Sequence, residues 1–138
     1  MAATALALDT FTALSDQQCD ARIRAAKAAL GDRLMILGHH YQRDEVFAHA
    51  DISGDSLKLS AMAAESDAEY IVFCGVHFMA EVADILTRDD QIVILPDLAA
   101  GCSMADMANL RNVRRPWAAL QSVLAPDPAV TPVPYIPS

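Results

Sequence analysis

At 138 residues the chain has the length of one ordinary domain. Its 54% hydrophobic and 20% charged residues exclude a disordered chain. Ten Lys+Arg against 18 Asp+Glu, a net charge of −8, exclude the basic footprint that non-specific binding to nucleic acid or an anionic membrane needs, so neither is an expected partner.

Residues 1–14 are small and apolar with no clear period. Asp9 interrupts that stretch, which lacks the basic n-region of a secretion signal. Ser15 and Asp16 are good N-cap residues for an Ala-rich helix reaching Leu30, with Gly31 just past its end. Leu34-Met35-Ile36-Leu37, closed by Gly38, reads as a strand buried on both faces. Asp44 is placed to cap a short helix through Ala50, and residues 56–65 form another helix burying Leu57, Leu59, Met62 and Ala63. Residues 70–74 are the second apolar strand. Residues 78–86 are a helix with Met79, Val82, Ala83 and Leu86 on one side. Residues 92–95 are the third strand, ended by Pro96. Helices are expected over 103–109 and, with Pro116 at its first position, over 116–124. Residues 130–136 are a fourth strand, weakened by Pro132 and Pro134.

Apolar strands alternating with amphipathic helices predict an α/β fold, three αβα layers around a short parallel sheet covered on both faces. Ligands of such sheets bind beyond the carboxyl ends of the strands. Three loops lie there, residues 38–43, 75–78 and 96–103, and they carry His39, His40, Tyr41, His77, Asp97 and Cys102.

His39-His40-Tyr41 offers proton carriers and a phenol on one loop, suited to polarising a substrate or moving a proton. Adjacent side chains point apart, so one histidine is expected to face the site, and sequence order does not choose which. Cys102 precedes a helix start, where a thiolate is favoured for attack or metal ligation. Its bland counterpart is a buried, inert cysteine, which also suits Cys74 in its strand, while Cys19 is incidental. No C-x-x-C pair is present and three irregularly spaced cysteines do not make a secreted disulfide framework, so a cytoplasmic location is expected. No run of about 20 apolar residues could span a bilayer.

Gly54-Asp55-Ser56-Leu57 carries the letters of the G-D-S-L esterases. The Asp-x-x-His pair that should complete a triad is absent downstream, and no buried strand is expected directly before it. Ser56 is therefore read first as an anion-binding residue at a helix start, second as a simple N-cap, and last as a nucleophile. His77 is equally well an exposed turn residue, and Glu81 suits the first turn of its helix by the dipole alone.

Four stretches, taken in order, resemble the quinolinate synthase family: Ile36-Leu37-Gly38-His39-His40-Tyr41-Gln42, Gly54-Asp55-Ser56-Leu57, Gly75-Val76-His77-Phe78-Met79-Ala80-Glu81 and Pro96-Asp97-Leu98-Ala99-Ala100-Gly101-Cys102-Ser103-Met104-Ala105. Val133-Pro134-Tyr135-Ile136-Pro137-Ser138 looks like the family's Tyr-x-Asn-Ser segment, with Pro137 where the family has asparagine. The resemblance implies an enzyme of de novo NAD biosynthesis that condenses iminoaspartate with dihydroxyacetone phosphate. It implies three similar αβα domains around a 4Fe–4S cluster held by one cysteine from each, acting as a Lewis acid, with L-aspartate oxidase as upstream supplier. By that resemblance Cys102 is a cluster ligand, His39 and Tyr41 are catalytic, and His39 and Ser56 bind substrate. Tyr135 corresponds to a second-domain tyrosine that is both catalytic and substrate-binding.

The expected organisation is a lead-in and helix over 1–32, a first αβα domain over 33–128, and the start of a second domain over 129–138, poorly ordered in isolation. The family continues for two further domains, whose two cluster cysteines are not among these residues. Cys19 and Cys74 fall outside its ligand motifs, so this chain alone is expected to be inactive. The alternatives are a cluster-free α/β module binding a small carboxylate or phosphate, and, more remotely, a hydrolase using Cys102 or Ser56.

Overall fold

A computed structural model describes residues 9–124 together with Val130 and Val133. A one-turn helix α1 (Asp9–Thr12) precedes α2 (Asp16–Leu30). Ser15 caps α2 through a complete capping box: its Oγ accepts the Gln18 N–H, and the Gln18 side chain accepts the Ser15 N–H. Gly31 ends it at φ +55°, ψ −135°, a backbone conformation reserved for glycine.

Strand β1 (Leu34–His39) follows, then a single turn α3 (Asp44–Phe47) and β2 (Ile52–Gly54). Helix α4 (Ser56–Glu65), β3 (Tyr70–Cys74), α5 (His77–Leu86) and β4 (Ile92–Ile94) complete the sheet. Two helices follow, α6 (Ser103–Met107) and α7 (Leu110–Val123). All strands are parallel, in the order β2-β1-β3-β4. The expected α/β class and parallel sheet are therefore present, and the architecture is consistent with three αβα layers.

Strand alternation assigns the faces. Leu37, Ile71 and Phe73 share one face, which α4 and α5 cover with Leu59, Ala63, Met79, Ala80 and Ala83. The fully buried Leu37, Leu59, Ile71 and Phe73 form the centre of this core. Leu34, Ile36, Tyr70, Val72 and Cys74 take the other face, opposite α2 and α3. There the layers stand apart, leaving an apolar cleft of about 1000 Å³. Lys27 anchors α2 beside it, its Nζ donating to the His49 carbonyl at 2.7 Å and to Asp51 Oδ1 at 2.6 Å.

Several expectations are corrected. The sheet is covered unevenly: β4 is an edge strand with Ile92 50% and Ile94 39% exposed. Strand β2 was not foreseen; three residues without an apolar run give no periodic signal, and it exists through pairing with β1. Asp44 opens α3 rather than capping it, and α3 ends at Phe47. Leu57 and Leu86 face solvent, while Ser56, Ser60 and Ala80 are buried in their place.

Pro116 is not the first residue of its helix. Asn109 caps α7 seven residues earlier, its Oδ1 accepting the Asn112 N–H at 3.0 Å, and Pro116 lies inside. Its missing N–H leaves the Asn112 carbonyl without the usual helical donor. Helix α6 ends at Met107 rather than Asn109. Of the strand expected over 130–136 only Val130 and Val133 are described, and neither is in a strand. Tyr135 and Pro137 lie outside the described residues.

Candidate functional site

The site grows from the carboxyl end of β1. His39 follows Leu37 by two positions, so it points to the same face, towards α4 and α5. It is completely buried, and neither Nδ1 nor Nε2 has a hydrogen-bond partner. Leaving a buried polar group unpaired costs about 1–3 kcal/mol, and native chains rarely retain such a defect without a use. His40, one residue on, is exposed. The structure thus separates the two histidines as strand alternation requires, and His39 is the one turned inward. Burial pushes its pKa below the ordinary 6.5, the nearby His40 adds to that, and Asp55 opposes it.

Tyr41 folds back over His39, ring centroids 3.9 Å apart and inclined at 36°. Its hydroxyl donates to Met79 Sδ at 3.8 Å. Burial raises its pKa; the nearby Cys102 raises it further, and hydrogen bonding from the Val76 backbone opposes. That interaction links the first and third loops. The second loop is tied to the third by the His77 N–H, which donates to the Ala100 carbonyl at 2.8 Å. Within the third loop Asp97 Oδ1 accepts the Ala99 N–H at 2.9 Å, shaping the turn that delivers Cys102. Cys102 is half-buried and is the N-cap of α6, but its side chain takes no part in capping, so the thiol is not used structurally there.

Ser56 reaches the same region from the other side of β1, because His39 pairs with Gly54 at the end of β2. It is buried, its carbonyl accepting from Ser60 Oγ at 3.0 Å. Ser56 is not the N-cap of α4. Asp55 is, its Oδ1 accepting the Lys58 N–H at 2.9 Å. A strand does precede the G-D-S-L letters after all, although β2 is the short outer strand of the sheet.

The structure therefore brings together His39, Tyr41, Cys102 and Ser56 at one end of the sheet. His77 is turned outward, half exposed and 3.5 Å from Glu81 on the next turn, and Glu81 falls in the second turn rather than the first because α5 begins a residue early. Met79 and Ser60 were missed as parts of this site. Met79 was read as packing alone, and nothing in the local pattern reveals that its sulfur meets a tyrosine 38 residues away. Among the described residues no group of three or more His, Cys, Asp or Glu could hold a metal ion, and Cys19, Cys74 and Cys102 are free thiols. Burial raises the pKa of Cys74, in keeping with an inert thiol. The large apolar cleft beneath the sheet is a different place, and Lys27, His49 and Asp20 in its lining are bonded to protein groups.

The domain is of the parallel α/β class, and it carries a buried, unpartnered histidine, a phenol and a free thiol at its strand ends, where sheets of this class bind their ligands. Residues 21–138 match the family model described as Quinolinate synthetase A protein, and the chain belongs to that family. It is 64% identical over 125 residues to the quinolinate synthase of Nocardioides sp., covering 90% of this chain and 32% of that protein. It is 58% identical over 131 residues to the quinolinate synthase of Herpetosiphon aurantiacus, covering 94% and 35%. The Geobacillus kaustophilus quinolinate synthase is 63% identical over 111 residues, covering 80% and 30%. The chain spans about a third of the length of these relatives. No helix among the described residues is long and apolar enough to cross a membrane.

Proposed function

We propose that this chain forms one domain of a quinolinate synthase, the enzyme that condenses iminoaspartate with dihydroxyacetone phosphate and releases phosphate and water. The observation that carries the reading is His39, a buried imidazole with both nitrogens unpartnered at the end of β1. A site that holds such a group without a ligand is preorganised for one that will pair with it.

Near neutral pH the lowered pKa keeps His39 uncharged, with one ring nitrogen carrying a proton and the other able to accept one. It can therefore move a proton to or from a substrate oxygen or nitrogen placed over β1. Tyr41 stays a protonated phenol, because its raised pKa prevents ionisation, and acts as a donor. Stacked on His39, it limits the approach of water from that side. Ser56, in the first turn of α4, is assigned to hold a carboxylate or phosphate oxygen of substrate.

Cys102 fits the cofactor of this reading as a single ligand: its thiol is free of structural duty and lies close enough to Tyr41 to affect its ionisation. A bound 4Fe–4S cluster would supply a Lewis-acidic iron there. One thiolate does not complete its ligand set, so two further cysteines come from outside these residues, and this chain alone holds no cluster. Tyr135 is assigned to the neighbouring part of the same site, and L-aspartate oxidase is the proposed supplier of iminoaspartate. The acidic composition agrees with a cytoplasmic enzyme that binds small molecules rather than nucleic acid.

The test is a chimera in which residues 21–124 replace the matching segment of the Nocardioides sp. enzyme. It should form quinolinate from iminoaspartate and dihydroxyacetone phosphate under anaerobic conditions, and His39→Asn should abolish this. A folded, cluster-loaded chimera without activity would contradict the reading.

A further inference from the structure

We propose that Met79 is a positioning residue for Tyr41, its thioether fixing the direction of the phenolic hydroxyl over the site; the inference rests on the reading of Tyr41 as a substrate-facing donor.

The sulfur's own position is fixed from three directions. Met79 is 2% exposed in the packed face between α4 and α5. Its carbonyl accepts from Ser60 Oγ at 3.2 Å, and the same hydroxyl serves the Ser56 carbonyl at 3.0 Å, so one fully buried serine ties Met79 to the first turn of α4. Behind the sulfur stands Gly75, where a Cβ would come within 2.9 Å of Sδ and 3.0 Å of the Phe73 ring. Any side chain at 75 would push the thioether out of place.

What is held in this way is an orientation. Tyr41 is half exposed; its ring meets the two histidine rings and its oxygen accepts from the Val76 backbone, but neither contact directs the hydroxyl proton. A hydroxyl with no acceptor would rotate freely; the bond to Sδ at 3.8 Å sets it. A thioether is a weak acceptor, so it aligns the O–H yet gives it up readily to a substrate oxygen. A carbonyl or carboxylate in the same place would hold the proton more firmly and compete with substrate.

The test uses the chain labelled at its methionine methyl groups, with the Met79 resonance identified as the one missing in Met79→Leu. That substitution conserves volume, and its fold is checked by circular dichroism. Tyr41→Phe removes only the hydroxyl and is expected to shift the Met79 methyl resonance beyond its line width while the other five stay in place. In Met79→Leu the nuclear Overhauser contacts between the Tyr41 and His39 rings are expected to weaken. A Met79 that only fills space would leave both unchanged, and that result overturns the proposal. In the active chimera Met79→Leu is expected to lower kcat several-fold with KM little altered, and an unchanged kcat would also overturn it. An inactive parent chimera would instead count against the functional reading, while the two spectroscopic arms still decide the contact.

Discussion

The imidazole of His39 lies with its ring centroid 3.9 Å from that of Tyr41, and neither of its buried nitrogens meets a protein partner. The domain thus carries an unpaired polar group where its own stability would favour an apolar one. His39→Leu keeps much of the volume and removes that defect. It is expected to stabilise the ligand-free chain by about 1 kcal/mol at pH 7 in denaturant titrations, while abolishing activity in the chimera. A loss of stability would mean that the ring has a partner after all.

The same histidine sets a pH dependence. Its folded pKa lies below the ordinary 6.5, so between those two values the unfolded chain binds more protons than the folded one. Its contribution is therefore fully present above pH 6.5 and lost as pH falls from 6.5 towards the folded value. Melting temperatures recorded from pH 7.5 to 5 should decline in the native chain and decline less in His39→Leu. Parallel curves would contradict the assignment.

Asp51, just before β2, ties β1 to α2. Its Oδ2 accepts the Ile36 N–H at 2.8 Å, its own N–H donates to the Ile36 carbonyl at 2.8 Å, and Oδ1 meets Lys27 Nζ of α2. Asp51→Ala leaves the part-buried Ile36 N–H without its partner and should cost about 1–3 kcal/mol. Lys27→Met should cost less, because that pair is partly exposed to water. The double variant should fall short of the sum, read by a double-mutant cycle in urea.

Gly38 stands where β1 passes the end of α3. A Cβ there would lie 2.7 Å from Ala50 Cβ, and neither backbone segment yields easily. Gly38→Ala should destabilise the chain by about 1–3 kcal/mol and displace His39, the next residue. A substitution neutral in both thermal stability and the His39 ring shifts would show more room than the structure has.

What was legible in the sequence was what short-range pattern encodes. The apolar runs at 34–37, 70–74 and 92–95 located three strands, and the helix over 56–65 has the bounds observed. The strand-end rule also pointed to His39, Tyr41 and Cys102, and the structure places His39 and Tyr41 in ring contact at the end of β1. Features that depend on distant partners were not legible. Strand β2 is made by pairing with β1, and the exposure of β4 by its place at the sheet edge. Ser60 and Met79 look like ordinary helix residues until α4 and α5 pack and bring a hydroxyl to a carbonyl 19 residues away. Pro116 misled because its preference for a first turn competes with the cap supplied by Asn109, and the cap prevails.

The central claim is that Cys102 is this domain's ligand to an iron–sulfur cluster completed by the rest of a quinolinate synthase. Its most direct measurement is the iron and sulfide content, with the visible absorbance, of the anaerobically purified chimera and its Cys74→Ser and Cys102→Ser variants. The expected result is a brown, iron-loaded protein that loses its cluster in Cys102→Ser and keeps it in Cys74→Ser. A cluster that survives unchanged in Cys102→Ser would contradict it.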